Sequence, residues 1–230
     1  MNGESLNLKN SSGDTTAYVA RPQTDAAGGV ILIQEWWGIN DHIRDIAGRY
    51  ATEGYLCVAP DLYRGKLAAN PEEAAAMMSA LAIEDGMATI RSALAAATET
   101  YKVDRFAITG YCMGGTFALR AACEIPSLRA AAPFYGDTPP DDILRQLKVP
   151  TLFIAGKRDA WINPAKVKHL NDVARESGLP LESVSYDADH AFFNDTRPQV
   201  YDADAAADAW RRVLEFFGRH LGAVARASRP

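Results

Sequence analysis

The segment ITGYCMGGTFAL, residues 108–119, places a thiol where a reactive side chain would be expected. An apolar run ends at Thr109, the pattern Gly110-x-Cys112-x-Gly114 follows, and a helical pattern comes next. In a nucleophile elbow, a sharp strand-to-helix turn lifts one side chain above the sheet, and flanking glycines let the backbone pass close by. The N-terminus of the following helix favours a thiolate. Cys112 is therefore a candidate nucleophile, and the alternative is a buried structural cysteine beside a tight turn.

An acid and a histidine follow Cys112 along the chain in the order that such a site requires, each in a loop after a strand. Asp159 comes directly after the apolar run at 150–156, and His190 follows the strand candidate at 181–187. An imidazole within reach of a thiol can act as its general base, and a buried acid can orient that imidazole. The sequence therefore predicts His190 as the base and Asp159 as its partner.

Other histidines and acids compete for these two roles. His42 and His169 fall within helical patterns, and His220 lies near the C-terminal end of the chain. Asp187 and Asp189 follow the same strand as the candidate histidine but are too close to it in sequence to match the usual architecture. We interpret these two acids as loop residues. The alternative for the candidate histidine itself is a solvated surface position.

Apolar runs of strand length alternate with helical patterns along the chain. Their uninterrupted apolarity indicates burial on both faces, as in a parallel sheet. The strand predictions are 5–9 and 15–20 as an antiparallel hairpin, then 28–35, 55–60, 105–110, 129–136, 150–156 and 181–187. The helix predictions are 41–53, 71–81, 83–98, 113–123, 163–178 and 199–220. This order predicts an α/β fold with a mostly parallel central sheet of about eight strands flanked by helices.

The last predicted helix has an apolar side that should face the sheet. Its members are Val200, Ala207, Trp210, Val213, Leu214 and Phe217.

Composition narrows the classes of protein. The 230 residues are 48% hydrophobic and 23% charged, which suits one globular domain over residues 1–230. A net charge of −5 argues against nucleic acid or an anionic membrane as partner. The first 15 residues hold no apolar signal-peptide core, and no apolar run is long enough to span a bilayer.

Cofactor and location follow from the motifs that the sequence lacks. Cys57, Cys112 and Cys123 show no CxxC spacing, so we expect neither a disulfide framework nor a zinc site, and we expect a reducing, cytoplasmic location. No metal, nucleotide or flavin motif is present, so no cofactor is expected. The expected partner is a small molecule, and the chain should be a monomer or a small homo-oligomer.

Three segments together, QEWWG, GYCMGG and DADHAFFND, resemble the dienelactone hydrolase family, a cysteine branch of the α/β-hydrolase fold. The stretch 33–63 resembles the family's segment from the end of the third strand past the fourth, and the resemblance covers about 15–220. It implies an α/β-hydrolase fold. It also implies hydrolysis of a lactone or small carboxylic ester through a thioester on Cys112, the carboxymethylenebutenolidase class of reaction.

The resemblance also implies a role for Glu35. In the family the resting thiol lies near this glutamate, substrate binding displaces the glutamate, and the carboxylate then takes the thiol proton. A carboxylate beside a thiol opposes thiolate formation, and so protects the cysteine from oxidation. The alternative is that Glu35 pairs with Arg44. We favour the active site, because Glu35 lies at the carboxyl end of a strand, where sites in α/β folds are found.

Two backbone N–H groups are needed to stabilise the oxyanion that forms during acyl transfer. The residue after the nucleophile supplies one, here Met113, and the loop after the third strand supplies the other, here Trp36. The pair of Trp36 and Trp37 is also a candidate pocket wall. The alternative for either tryptophan is core packing.

The predicted substrate departs from that of the family's dienelactone-specific members, which hold the substrate carboxylate with two arginines. At the position of one of these arginines this chain has Asn194, and where those members have a serine it has Ala191. The other arginine lies in the segment after the fourth strand, and residues 67–81 here contain no arginine or lysine. We therefore expect neutral or bulkier esters to be better substrates than dienelactone. The candidate substrate-binding residues are Trp37, Trp161, Ala191 and Asn194, and the cations close in sequence to these motifs are Arg64, Lys66 and Arg197.

Two other functions remain open at this point. The first is a general carboxylesterase or thioesterase with a neutral or apolar substrate. The second is a catalytically silent α/β-hydrolase fold that binds a ligand, although the complete set of Cys112, Asp159 and His190 argues against it.

Overall fold

The computed structural model describes residues 3–10 and 13–222. The strands in the described residues are β1 (Glu4–Leu8), β2 (Thr15–Ala20), β3 (Gly29–Ile33), β4 (Leu56–Pro60), β5 (Phe106–Tyr111), β6 (Ala130–Phe134), β7 (Thr151–Gly156) and β8 (Leu181–Tyr186). The helices are α1 (Asp41–Thr52), α2 (Pro71–Ala80), α3 (Ile83–Tyr101), α4 (Met113–Glu124), α5 (Asp141–Leu144), α6 (Pro164–Ser177) and α7 (Ala203–Leu221).

The eight strands form one sheet in the order β1-β2-β4-β3-β5-β6-β7-β8. The β1–β2 and β2–β4 pairs are antiparallel, and all other pairs are parallel. The chain builds outward in both directions from β3, which pairs with β4 on one side and β5 on the other. Ligands bind α/β sheets at such a switch point, outside the carboxyl ends of the strands. The predicted mostly parallel sheet of eight strands is confirmed.

The inner strands β3 to β7 are buried along their whole length, as their unbroken apolarity predicted. Side chains alternate between the two faces of the sheet. Ile31 and Ile33 pack in the core that contains residues of α3 and α4, whereas Val30 and Leu32 pack against α1 and α7. The sheet is thus covered on both sides, and its carboxyl edge is fixed between two packed layers.

Capping side chains explain where the helices begin. The side chain of Asn40 accepts a hydrogen bond of 3.1 Å from the N–H of Ile43 and so starts α1. Asn163 does the same for α6, with Pro164 in the first turn and Gly178 at φ 62° after the last. These boundaries agree with the sequence prediction.

Three helical details differ from the prediction. α3 continues to Tyr101, about three residues further than expected, and the short α5 was not predicted. α7 begins at Ala203 instead of near residue 199, because Asp202 caps it by accepting from the N–H of Ala205.

The predicted apolar side of α7 is correct only in part. Val213 and Phe217 are buried, but Ala207 is exposed, and Val200 precedes the helix. The buried side contains Ala205, Ala206, Ala209, Val213, Phe216, Phe217 and Leu221. The first turns of α7 are rich in alanine and acids, so the pattern there did not fix which side would face the sheet.

The described residues contain no helix that is both long enough and apolar enough to cross a membrane.

Candidate active site

Cys112 lies between β5 and α4 in a strained backbone conformation, with φ 56° and ψ −117°. Such outliers cost about 1–3 kcal/mol each and persist only where surrounding structure enforces them. A Cβ on Gly110 would lie 2.2 Å from the carbonyl oxygen of Gly114, and a Cβ on Gly114 would lie 2.3 Å from the carbonyl oxygen of Ile33. Both glycines are therefore required for the turn, which has the geometry of a nucleophile elbow.

His190 and Asp159 are in direct contact. The His190 Nδ1–H donates to Asp159 Oδ2 over 2.6 Å, and the other carboxylate oxygen accepts from the N–H groups of Trp161 and Ile162 at 2.8 Å each. Burial opposes ionisation of Asp159, but these bonds outweigh it, and the pKa of this carboxyl lies below its ordinary value. Asp159 is thus a carboxylate that fixes the imidazole with Nε2 as the free ring nitrogen.

The two competing acids, Asp187 and Asp189, form ion pairs with an arginine and not with His190. Arg158 forms an ion pair with Asp187 at 2.8 Å and with Asp189 at 3.3 Å, on the protein surface. Because neither acid bonds to the imidazole of His190 in the described structure, the geometry favours Asp159 as its partner.

A cavity of about 240 Å³ opens where these groups meet. Its lining residues are Glu35, Trp36, Met78, Cys112, Trp161, His190, Ala191 and Arg197. The Nε2 atom of His190 is buried and has no hydrogen-bond partner among the described residues, so the thiol of Cys112 is not bonded to it in this state. A larger, more open groove of about 660 Å³ runs along α6 and β8, and it contains none of these side chains.

The resting thiol of Cys112 is protonated at neutral pH. Burial raises the pKa of Cys112 well above its ordinary value, the charge of Glu35 raises it further, and the N–H of Met113 lowers it only in part. The helix N-terminus, which the sequence suggested would favour a thiolate, does not outweigh burial here. A reaction of this sulfur as a nucleophile would therefore require another group to accept its proton.

Glu35 is a buried carboxyl that borders the same cavity, with 2% of its surface exposed. Asn194 Nδ2 donates to Glu35 Oε2 over 2.7 Å. Burial raises the pKa of Glu35 to about 7, although this hydrogen bond and the charges of Arg197 and His190 act in the opposite direction. At neutral pH Glu35 is therefore close to half protonated, which suits a group that exchanges protons.

Arg44, the alternative partner for Glu35, has other contacts. Its guanidinium lies over the ring of Tyr18 at 5.4 Å, and its Nε–H donates to the carbonyl of Ile39 at 3.4 Å. The alternative in which Glu35 pairs with Arg44 is therefore wrong.

The two predicted oxyanion donors lie at the ends of neighbouring strands. Met113 is the first residue of α4, and its N–H acts on the sulfur of Cys112. Trp36 follows β3, and within residues 3–10 and 13–222 no acceptor is bonded to its N–H. The N–H of Trp36 is thus available to a ligand in the cavity, and the N–H of Met113 lies at the sulfur, where an oxyanion would form beside it.

Two of the four candidate substrate-binding residues line the cavity. Trp161 is 37% exposed, with its ring centroid 5.2 Å from that of His190, and Ala191 is buried at φ 64°. Trp37 instead packs edge-to-face against Trp36 with ring centroids 5.2 Å apart, and it does not line the cavity. The buried side chain of Asn194 contacts Glu35 and is likewise outside the lining.

Sequence reasoning missed Met78, which lies on α2 and lines the cavity. Ala74, Met77, Met78 and Leu81 recur at positions i, i+3, i+4 and i+7, which marks one face of a helix. That signal could have shown that this face of α2 is turned inward, but not that Met78 would line the same cavity as Cys112.

Known proteins share this fold and part of the sequence. The model of the dienelactone hydrolase family matches residues 15–221. The chain belongs to this family. It is 35% identical over 232 residues to the Escherichia coli (strain K12) protein named "Putative carboxymethylenebutenolidase", with 92% of this chain and 85% of that one covered.

Two further relatives cover almost the whole chain. Protein usf of Aquifex pyrophilus is 32% identical over 231 residues, covering 95% of this chain and 99% of its own. The crystal structure titled "Putative Dienelactone Hydrolase" from Klebsiella pneumoniae has a TM-score of 0.86 at 31% identity, covering 95% and 98%. As a member of the dienelactone hydrolase family, the chain is a hydrolase that acts on ester bonds.

In this dienelactone hydrolase family member, only one of the three cations noted in the sequence lines the cavity. Arg197 does so, and its guanidinium has no ion-pair partner among the described residues. Arg64 is paired with Asp85 at 2.6 Å, and Lys66 is not among the lining residues. The part of the chain that the structure describes holds no cluster of histidine, cysteine and acid side chains that could bind a metal.

Proposed function

We propose that the protein hydrolyses a lactone or small carboxylic ester through a thioester on Cys112. The observation that supports this most strongly is that Cys112, on its strained turn, shares one cavity with His190, whose imidazole Asp159 holds.

In the acylation step, the substrate carbonyl lies against the N–H groups of Trp36 and Met113. The thiol proton passes to Glu35, whose pKa of about 7 makes it a competent acceptor, or to His190 Nε2. The sulfur then attacks the carbonyl carbon, and the resulting oxyanion is held by the two N–H groups. When the carbon–oxygen bond of the ester breaks, the acid form of the base returns the proton to the leaving alkoxide.

Deacylation repeats these roles with water. His190 Nε2 removes a proton from water, the hydroxide attacks the thioester carbonyl, and the bond to Cys112 breaks. The thiolate recovers its proton from the imidazolium, and the carboxylic acid leaves. Asp159, as a carboxylate, stabilises the imidazolium that forms in deacylation, and in acylation when His190 takes the thiol proton.

A neutral or apolar ester is the second candidate substrate, and the cavity wall favours it. Met78, Trp36 and Trp161 present mostly apolar surface to Cys112, whereas α2 contributes no cation. Arg197 is the one positively charged side chain in the lining. A general carboxylesterase or thioesterase would thus differ from the lactone hydrolase proposed above in its substrate, while the reaction at Cys112 would be the same.

A mutational experiment tests the thioester route. We expect Cys112→Ala to abolish turnover of a chromogenic ester, while Cys57→Ala and Cys123→Ala keep it, because both of those cysteines are buried away from the cavity. Rapid acid quench followed by intact-mass spectrometry should detect the acyl group on the parent and not on Cys112→Ala. Residual turnover of Cys112→Ala within tenfold of the parent would contradict the proposal.

A further inference from the structure

Asn194 makes its principal contact with another buried side chain and not with the cavity. Its Nδ2 donates to Glu35 Oε2 over 2.7 Å, and only 1% of its surface is exposed. The other end of the amide is also fixed, because Asn194 Oδ1 accepts from the N–H of Thr196 at 3.0 Å and from its hydroxyl at 2.6 Å. Two donors on the oxygen define which atom is the amide nitrogen, so the N–H group must face Glu35.

The loop that carries Asn194 is anchored to the element that follows Glu35. Asp195 forms an ion pair with Arg49 of α1 and lies 3.3 Å from the Nδ1 of His42 in the same helix. The N–H of Asn194 donates to the carbonyl of Ala191, one residue after His190. The same short loop therefore holds the imidazole and the amide that binds Glu35.

We propose that Asn194 is a positioning residue for Glu35: its amide, oriented by Thr196, holds the carboxylate beside Cys112 and sets the pH at which that carboxylate takes up a proton. The inference rests on the proposed function, because a proton acceptor for the thiol is needed only if Cys112 is the nucleophile.

The charges around Glu35 explain why a neutral amide suits this position. The groups that face it are the thiol of Cys112, the phenol of Tyr135, the imidazole of His190 and the guanidinium of Arg197. An amide N–H stabilises the carboxylate form without adding a full charge, so burial still prevails and the pKa of Glu35 stays near 7. A proton acceptor works best when its pKa lies near the working pH.

The test reads the protonation of Glu35 directly. An infrared pH titration of the whole protein follows the C=O band of protonated carboxyl groups. The band that is absent from the Glu35→Gln variant is assigned to Glu35. We expect a midpoint near 7 in the parent. Asn194→Leu removes the donor and should raise the midpoint, and Asn194→Asp adds a like charge and should raise it further, by about one to three pH units.

Two further variants complete the design. Thr196→Val removes one of the two donors on Asn194 Oδ1 and should give a smaller rise, which keeps the test available if a substitution at Asn194 prevents folding. Asn171→Asp, on α6, makes the same chemical change in the other groove and should leave the midpoint unchanged. The acidic limb of the pH profile of kcat/KM should move with the infrared midpoint.

A midpoint that is the same in Asn194→Leu, Asn194→Asp and the parent would overturn the inference. The titration needs no substrate, so it also separates the two proposals. If the Asn194 variants keep the parent midpoint and Cys112→Ala is inactive, only the proposed role of Asn194 is contradicted. If the midpoint shifts and Cys112→Ala remains active, the thioester mechanism is contradicted instead.

Discussion

His190 and Asp159 lie at the ends of adjacent parallel strands, β8 and β7, and are joined by a hydrogen bond of 2.6 Å. The imidazole also packs against the rings of Tyr135 and Trp161, with centroids 5.0 and 5.2 Å away. These contacts restrict rotation of the imidazole, whose Nε2 is buried and has no hydrogen-bond partner among the described residues.

The first prediction concerns the relative cost of losing these two residues. His190→Ala should lower kcat by about 10³-fold or more, because His190 is the base that activates water in the deacylation half of the cycle. Asp159→Asn should cost less, since the imidazole remains and only its orientation and the stabilisation of its cation are lost. Steady-state kinetics on a short-chain ester measure both. The matched control is Asp189→Asn, whose acid pairs with Arg158 at the surface, and a larger loss there than in Asp159→Asn would identify a different acid.

The second prediction concerns the glycines of the elbow. Gly114→Ala should reduce the free energy of unfolding by about 1–3 kcal/mol, because the added methyl meets the backbone of Ile33 at 2.3 Å. Gly218→Ala is the matched control in α7, where no described atom outside its chain neighbours and its own helix backbone lies within 4 Å of the added methyl. This change should stabilise the protein by about 0.5–1 kcal/mol. Denaturant unfolding measures both changes. A Gly114→Ala protein as stable as the parent would mean that the turn can relax.

The third prediction is that Glu35 makes the free energy of unfolding depend on pH. The pKa of Glu35 is raised from 4.5 in the unfolded chain to about 7 in the folded one. Between these values the folded state binds more protons, so this group's contribution to stability falls as pH rises from about 4.5 to about 7. Over the whole range the contribution of Glu35 to the free energy of unfolding falls by about 3 kcal/mol.

Glu35→Gln should remove this slope, because the amide keeps an acceptor for Asn194 and cannot ionise. The variant should exceed the parent in free energy of unfolding at pH 8, and the excess should shrink at pH 5. Urea unfolding of both proteins at the two pH values provides the measurement. An excess that is equal at both would show that Glu35 keeps an ordinary carboxyl pKa in the folded protein.

The fourth prediction concerns substrate choice. An acidic lactone loses one charge-assisted bond where Asn194 replaces an arginine of the family's dienelactone-specific members, and such a bond is worth about 1.5–3 kcal/mol. We therefore expect kcat/KM for a neutral methyl ester to equal or exceed that for the free acid. The paired assay compares the two forms of one unsaturated lactone. A tenfold or greater preference for the free acid would contradict this prediction and would indicate that Arg197 binds the substrate carboxylate. In that case Arg197→Met should reverse the preference, whereas Arg64→Met should not.

Much of the fold and several site residues could be predicted from the sequence, because the signals are local. Unbroken apolar runs mark inner strands, Asn40 and Asn163 mark helix starts, and two glycines around Cys112 mark a turn that a Cβ would block. Each signal depends on a residue's own conformational preference or on near neighbours in the chain, so it is visible before folding.

Only the tertiary structure decided which groups meet across the sheet. The sequence ranked Asp159 above Asp187 and Asp189 as the partner of His190, and the packing of β7 beside β8 brings Asp159 into contact with the imidazole. The sequence likewise could not show that Asn194 donates to Glu35, 159 positions away in the chain, nor that Met78 of α2 lines the cavity that contains Cys112. These contacts depend on how distant elements pack, and the burial that raises the pKa of Glu35 exists only once they have done so.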